Sequence, residues 1–213
     1  AGPGRRRGRS WGDYDGSMVA TKLPSEAPTS GIDPELYAQL CALPHNQVGQ
    51  IVAGRLVAIP RPSAPHALVS STLGQDLGGP YQRGRGGPGG WWLLDEPELH
   101  LGADVLVPEI AGWKRERMPT VPNVAAFTLA PDWVLEVLSP QTGGLDRTQK
   151  LPRYAAAGVS HVWIVDPAQQ TLEVFRREGK FWLMVGAHQG AALVRAEPFD
   201  AVELNLADLW IQS

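Results

Sequence analysis

Two acids sit in stretches that otherwise read as core. Glu109 lies within "VLVPEIAGW" and Glu136 within "PDWVLEVLSP". Both stretches are apolar enough to be strands buried on both faces, and each carries its acid mid-strand. An unpaired carboxylate in such a place is costly. Two of them on neighbouring strands repel unless a cation lies between them. Mg²⁺ or Mn²⁺ suits that position, because a hard divalent ion takes one or two carboxylates and fills its shell with water and substrate phosphate. Two acids alone fit equally well on a solvent-facing edge or against arginines, so a third group decides. Lys150 in "DRTQKLPRYAAAG" follows the Glu136 strand on a helix, where Leu151, Tyr154 and Ala155 mark an apolar face beside it. On the inner face of that helix a lysine is within reach of the carboxylates, to orient an attacking water or to stabilise charge growing on a phosphorane-like transition state; the other reading is an exposed helical lysine.

The elements that must hold these groups are legible from local signals. "DPELYAQLCAL" opens with an N-cap Asp and a proline at the first helical position. "QIVAGRLVAIP" is a hairpin turned at Ala53-Gly54. "SAPHALVSSTLGQDLGG" is a helix that starts near Ser63 and stops at Gly78-Gly79. "YQRGRGGPGG" is a glycine-rich loop without phosphate-binding spacing, so its glycines predict mobility. "GGWWLLDEPELHLG" is a strand run broken at Pro97, and "HVWIVDP" is a short buried strand. "TLEVFRREGKFWLMVGA" is a second hairpin, turned at Glu178-Gly179. The order is helix, three strands, helix, strand, then further strands. Residues 1–31, rich in Gly, Arg, Ser and Pro, predict a flexible arm, and 32–213 a single domain.

Composition bounds the function. A chain of 213 residues, 43% hydrophobic, fills one α/β core. The formal charge of −3 argues against strong non-specific affinity for polyanions while leaving room for a local basic face. Arg83 and Arg85, with Lys114, Arg115 and Arg117, are the candidates for such patches beside a cleft, or are solvated loop charge. One cysteine, Cys41, allows no internal disulfide and points to a reducing compartment, the cytoplasm. No apolar run approaches the ~20 residues of a membrane span. Trp91, Trp92, Trp133 and Trp163 are read as core. Asp132 and Asp166 look like turn caps, and Asp146 a helix start.

These pieces in this order resemble the Uma-type restriction endonuclease family of bacteria, within the PD-(D/E)XK nuclease superfamily. "VLVPEIAGW", "PDWVLEVLSP", "LDRTQKLPRYAAAGVSHVWIVDP" and the hairpin "TLEVFRR" carry the resemblance, which runs from "QIVAGRLV" to "LADLW". It implies a restriction-endonuclease-like α/β (α+β) core: a mixed central sheet flanked by helices, with extra β-hairpins. It also implies a Mg²⁺- or Mn²⁺-dependent endonuclease that hydrolyses DNA phosphodiester bonds and works as a homodimer. Glu109 and Glu136 would be metal ligands, with the Val137 carbonyl a further oxygen. The superfamily places its lysine two residues after the second acid. That position is Leu138 here, and the resemblance points instead to Lys150. His66 matches a histidine near the start of the first core helix. Gln50 stands where relatives carry Glu, and Glu109 where they carry Asp. Glu98 and Asp132 are placed around the cluster with Gln50 and His66. The two departures leave a second reading open, a weakened or inactive nuclease-fold domain that binds nucleic acid or a protein partner. A dimerisation module is a third.

Overall fold

Each element forms for a local reason that the structure displays. The computed structural model describes residues 31–60, 62–140 and 143–211, so the arm expected over 1–31 lies almost wholly outside the described residues. Helix α1, Pro34–Cys41, starts where the Asp33 carboxylate accepts the Glu35 and Leu36 N–H groups at 2.8 and 3.2 Å. Strands β1, Gln47–Val52, and β2, Arg55–Pro60, form the expected hairpin, with Ala53 and Gly54 both at positive φ in its turn. Helix α2, Ala64–Leu77, does not stop at Gly78-Gly79. It runs on into a wide turn over Gly78–Gln82, closed by the Arg83 N–H on the Gly78 carbonyl at 3.1 Å. Tyr81 in that turn is buried and its hydroxyl donates to the Phe199 carbonyl, so packing overrides the glycine signal. The glycine-rich loop after it packs closely: a Cβ on Gly87 would stand 2.4 Å from the Cβ of Pro80.

The strands divide between two main sheets. The larger has six strands in the order β10-β9-β8-β7-β6-β3: Phe181–Gln189, Thr171–Glu178, His161–Asp166, Trp133–Val137, Ile110–Lys114 and Trp91–Asp95. A four-stranded sheet, order β2-β1-β5-β4, adds Asp104–Leu106 and Leu99–Leu101 to the first hairpin. A small pair, β11 (Leu193–Val194) and β12 (Leu204–Asn205), completes the set. The expectation of one strand through "VLVPEIAGW" is corrected here. The chain leaves the small sheet after Leu106 and enters the large one at Ile110, and Pro108 sits in the break. Glu109 is therefore at a bend just before β6 and not mid-strand. β6 pairs antiparallel with β7, and β7 pairs parallel with β8. A parallel pair requires a crossover, and the helical run 143–157 supplies it. Gly158, at φ +90°, ends that run with the Val159 N–H on the Tyr154 carbonyl.

Alternation along β7 splits the core. Trp133, Leu135 and Val137 pack on one face with Val69, Leu73 and Leu77 of α2 and with Trp163 and Val165 of β8. Val134 faces the other way, toward Tyr154, Val159, Val162 and Ile164. Burying each such side chain stabilises the fold by roughly 1.5–3 kcal/mol. Glu136, two residues on from Val134, shares the face covered by the 143–157 helix.

Candidate active site

Glu136 is in the core because the crossover helix meets it there. Its Oε2 accepts from the Lys150 ammonium at 2.9 Å, and its Oε1 from the Tyr154 hydroxyl at 2.6 Å. Lys150 also reaches Asp146 Oδ1 at 3.0 Å. Asp146, Lys150 and Tyr154 are spaced by four, which lays all three on one side of the helix. The segment Asp146–Lys150 is wound more widely than an α-helix, with the Leu151 N–H bonded to the Asp146 carbonyl. Such widened turns recur at functional sites.

Glu109 joins this cluster from the neighbouring strand's entrance. It is the residue before the Ile110–Leu135 pair, and Glu136 is the residue after it. One Glu109 oxygen lies 3.0 Å from His66 Nε2, and the other accepts the Val137 N–H at 3.1 Å. His66 comes from the first turn of α2, over the same end of the sheet. Gln50 is buried on β1, where its amide oxygen accepts the Val107 N–H at 3.0 Å and fixes the connector leading to Glu109. These groups line a cavity of about 420 Å³ between the first hairpin, the start of α2 and the crossover helix.

The charge balance of the cluster runs to the acidic side. Burial pushes the Glu136 carboxyl well above its ordinary value; Asp146 and Glu109 push it further, against the opposing charge of Lys150. Burial by itself would lower Lys150, but Glu136, Asp146 and Glu109 outweigh it, so the ammonium stays protonated. For Glu109 burial again opposes ionisation; the His66 hydrogen bond and the charges of Lys150 and His66 prevail and hold it below the usual range. Burial and the adjacent Glu136 raise the Tyr154 hydroxyl, which therefore remains a donor.

Two of the residues placed around the cluster from the sequence behave differently from Gln50 and His66. Glu98 does not line the cavity. Its Oε1 accepts from Tyr37 at 3.1 Å and lies 2.7 Å from His100 Nε2, against α1. Of the two acids flanking Pro97, the one that lines the cavity is Glu96, held at φ +44° in the bend after β3. Asp132 is buried at the opposite end of β7, accepting the Lys114 N–H at 2.9 Å and pairing with Arg117 at 2.9 Å. That end is about 16 Å along the strand from Val137, at ~3.3 Å per residue. The basic residues Lys114, Arg115 and Arg117 sit there too. Arg115 is spent on the Gln82 and Trp91 carbonyls and on the Trp92 ring, 4.0 Å away. They do not flank the cavity; Arg83 lines a neighbouring one. Asp146, which the sequence reads as a helix start, and Tyr154, which it reads as part of the apolar face, join the cluster in the structure. Their spacing of four from Lys150 was the available signal.

The donors fit a hard divalent ion in kind. Glu109 and Glu136 supply carboxylate oxygens that each retain acceptor capacity, and two buried acids with the half-buried Glu109 face one lysine. Among the described residues no group of three His, Cys, Asp or Glu side chains forms a ready-made metal cage. A backbone carbonyl, water and substrate oxygens would have to complete the shell of such an ion, as is usual for Mg²⁺.

A mixed sheet with one parallel crossover, and acids gathered at its end beside a helix-borne lysine, defines a nuclease-type α+β fold. A "putative nuclease" of the DUF820 group from Anabaena variabilis has a crystal structure that superposes with a TM-score of 0.66 at 23% identity, over 81% of this chain and 95% of that one. At that identity the likeness concerns the fold. The chain itself belongs to the Uma2 family, described as "Putative restriction endonuclease", whose model matches residues 34–207. No curated protein sequence matches it.

Proposed function

We propose that the protein is a metal-dependent endonuclease that hydrolyses DNA phosphodiester bonds, working as a homodimer. One observation carries the reading: a buried lysine held between Glu136 and Asp146 in a cavity that also contains Glu109. Glu109, Glu136 and the Val137 carbonyl would hold Mg²⁺ or Mn²⁺. That ion supplies Lewis-acid polarisation of the phosphoryl oxygen and a more acidic water. The chain's own groups do the rest. Lys150 has three N–H donors; two go to carboxylates, and the third stabilises negative charge growing on the phosphoryl oxygens. Tyr154 fixes the Glu136 carboxylate, while His66 and the Val137 N–H fix that of Glu109. Gln50 keeps the Glu109 connector in place.

The experiment is metal titration beside cleavage of plasmid and single-stranded DNA. Glu136→Gln removes metal binding and cleavage together. Lys150→Ala spares metal binding and lowers cleavage by roughly two to three orders of magnitude, the range of one electrostatic catalytic group. Unchanged metal affinity in Glu136→Gln rejects the site. Absence of metal binding by the wild type favours the inactive binding domain, which the neutral amide of Gln50 in place of an acid already supports.

A further inference from the structure

On the nuclease reading, which this inference presupposes, the arriving cation unsettles Lys150. A divalent ion on Glu109 and Glu136 sets a like charge beside the ammonium that Glu136 holds at 2.9 Å. The ammonium then needs a second anion that the ion does not use. Asp146 is placed for that: its Oδ1 lies 3.0 Å from the Lys150 ammonium, and its side chain is 2% exposed. Among the described residues no three His, Cys, Asp or Glu side chains gather into a metal cage, so Asp146 is read as the partner of the lysine and not as a third ligand.

The backbone is shaped to the same end. Residues four apart on an α-helix are rotated from one another by about 40°, so Asp146, Lys150 and Tyr154 would fan out over ~80°. The run departs from that geometry, because the Leu151 N–H reaches back five residues to the Asp146 carbonyl. A turn that holds more residues rotates less at each one, so it takes back the drift and brings Asp146 into line with Lys150 and Tyr154. Arg147 and Thr148, inside the turn, are exposed, whereas Asp146 and Lys150 at its ends are buried, so the benefit falls on that pair. Pro152, directly after Leu151, supplies a local cause. In a regular helix its ring would strike the Thr148 carbonyl and leave it without an N–H donor. Widening the turn just before the ring relieves that contact. Side chains hold the widened form: the Thr148 hydroxyl donates to the Gly144 carbonyl at 2.6 Å, and the Arg153 guanidinium to that of Gln149 at 2.7 Å.

We propose that Asp146 is a positioning residue that keeps Lys150 in place beside a bound cation, and that Pro152 sets the widened turn that brings it there. The test reads the ammonium itself. The chain has four lysines, Lys22, Lys114, Lys150 and Lys180; Lys114 and Lys180 are exposed and Lys150 is buried. The full chain is prepared with isotope-labelled lysine and the ammonium nitrogens are followed by NMR, with Lys150→Met identifying the Lys150 signal by its loss. In the wild type the Lys150 ammonium stays protected from exchange with water when Mg²⁺ is added. In Asp146→Asn, which keeps the side-chain shape, and in Pro152→Ala, which places a good helix former there, Mg²⁺ speeds its exchange by about tenfold or more, the equivalent of one charge-assisted hydrogen bond. On plasmid DNA at saturating Mg²⁺ both variants lower kcat by about a hundredfold with KM unchanged, the cost of misplacing one group. An ammonium that stays protected in Mg²⁺-loaded Asp146→Asn overturns the role of Asp146, and one that stays protected in Pro152→Ala overturns that of Pro152. Loss of Mg²⁺ binding in Asp146→Asn as complete as in Glu136→Gln makes Asp146 a ligand and also overturns the proposal. The expected exchange pattern in a wild type that cleaves no DNA leaves the positioning pair standing and removes the nuclease reading beneath it.

Discussion

Lys150→Met tests the charge logic of the site without needing a substrate. The ammonium is buried and bonded to Glu136 at 2.9 Å and Asp146 at 3.0 Å, with Glu109 close enough to raise its pKa. Methionine keeps the volume of the stem and deletes the charge, leaving three acidic side chains without that cation. Removing one partner of a buried ion pair costs about 3–5 kcal/mol. For a domain of this size, each kcal/mol moves Tm by roughly 2–4 °C, so the variant melts on the order of 10 °C lower. Two further arms keep the result from being read as generic damage. Mn²⁺ at a hundredfold over its Kd returns about 2.7 kcal/mol by binding only the folded state. The double variant Lys150→Met with Glu136→Gln removes one of the stranded acids and melts above the single variant. The assay is thermal unfolding followed by circular dichroism, with and without metal. A single variant that melts with the wild type would show that the cluster is not an electrostatic unit. A single variant that falls by the expected amount but gains nothing from Mn²⁺ would refute the claim that these acids share a cation.

Four further outcomes follow from the same geometry. Tyr154→Phe leaves Glu136 Oε1 without its hydroxyl donor, costs about 1–3 kcal/mol in unfolding free energy, and weakens metal binding in calorimetry. Gln50→Glu keeps an acceptor for the Val107 N–H and adds an acid at the cavity wall, so it tightens Mn²⁺ binding; unchanged affinity removes Gln50 from the site. Asp132→Ala strands the Lys114 N–H and lowers stability by about 1–3 kcal/mol, yet metal affinity per folded molecule stays as in the wild type. Metal stabilisation also has a sign in pH. Burial raises the folded Glu136 carboxyl above its ordinary 4.5, so above that pH the folded state retains a proton the unfolded chain has lost, and this contribution to stability fades as pH rises. A divalent ion replaces that proton, so the Tm gain from saturating Mg²⁺ grows as pH rises from 4.5, and a flat or shrinking gain contradicts the assignment.

What could be read from the sequence was whatever is encoded within a few residues. The period of two in "WVLEV" places Glu136 on a definite face of β7, and Asp33-Pro34 starts α1 as its side-chain chemistry requires. What escaped depends on partners far along the chain. "VLVPEIAGW" is apolar on both sides of Pro108 because both sheets are buried there, so hydrophobicity hides the change of sheet that puts Glu109 at a bend. Only Pro108 marked it, since proline cannot sit in a central ladder. The sequence reading names Glu98 and not Glu96, the acid on the other side of Pro97. In the structure Tyr37, 61 residues away, holds Glu98, while Glu96, at positive φ, lines the cavity.

Asp146 is a different kind of omission, because its signal was local. The sequence places Asp146 as a helix start, but it lies inside the helical run, and its carboxylate turns onto Lys150. With Tyr154 one turn further on, the helix presents acid, base and phenol at intervals of four to the same side. A solvent-facing surface would have no use for a phenol in that series, and an apolar core face would exclude the acid and the base. The mixture makes sense only if that face meets something both buried and charged. The adjacent strand supplies it in Glu136, which both Lys150 and Tyr154 reach from the crossover helix.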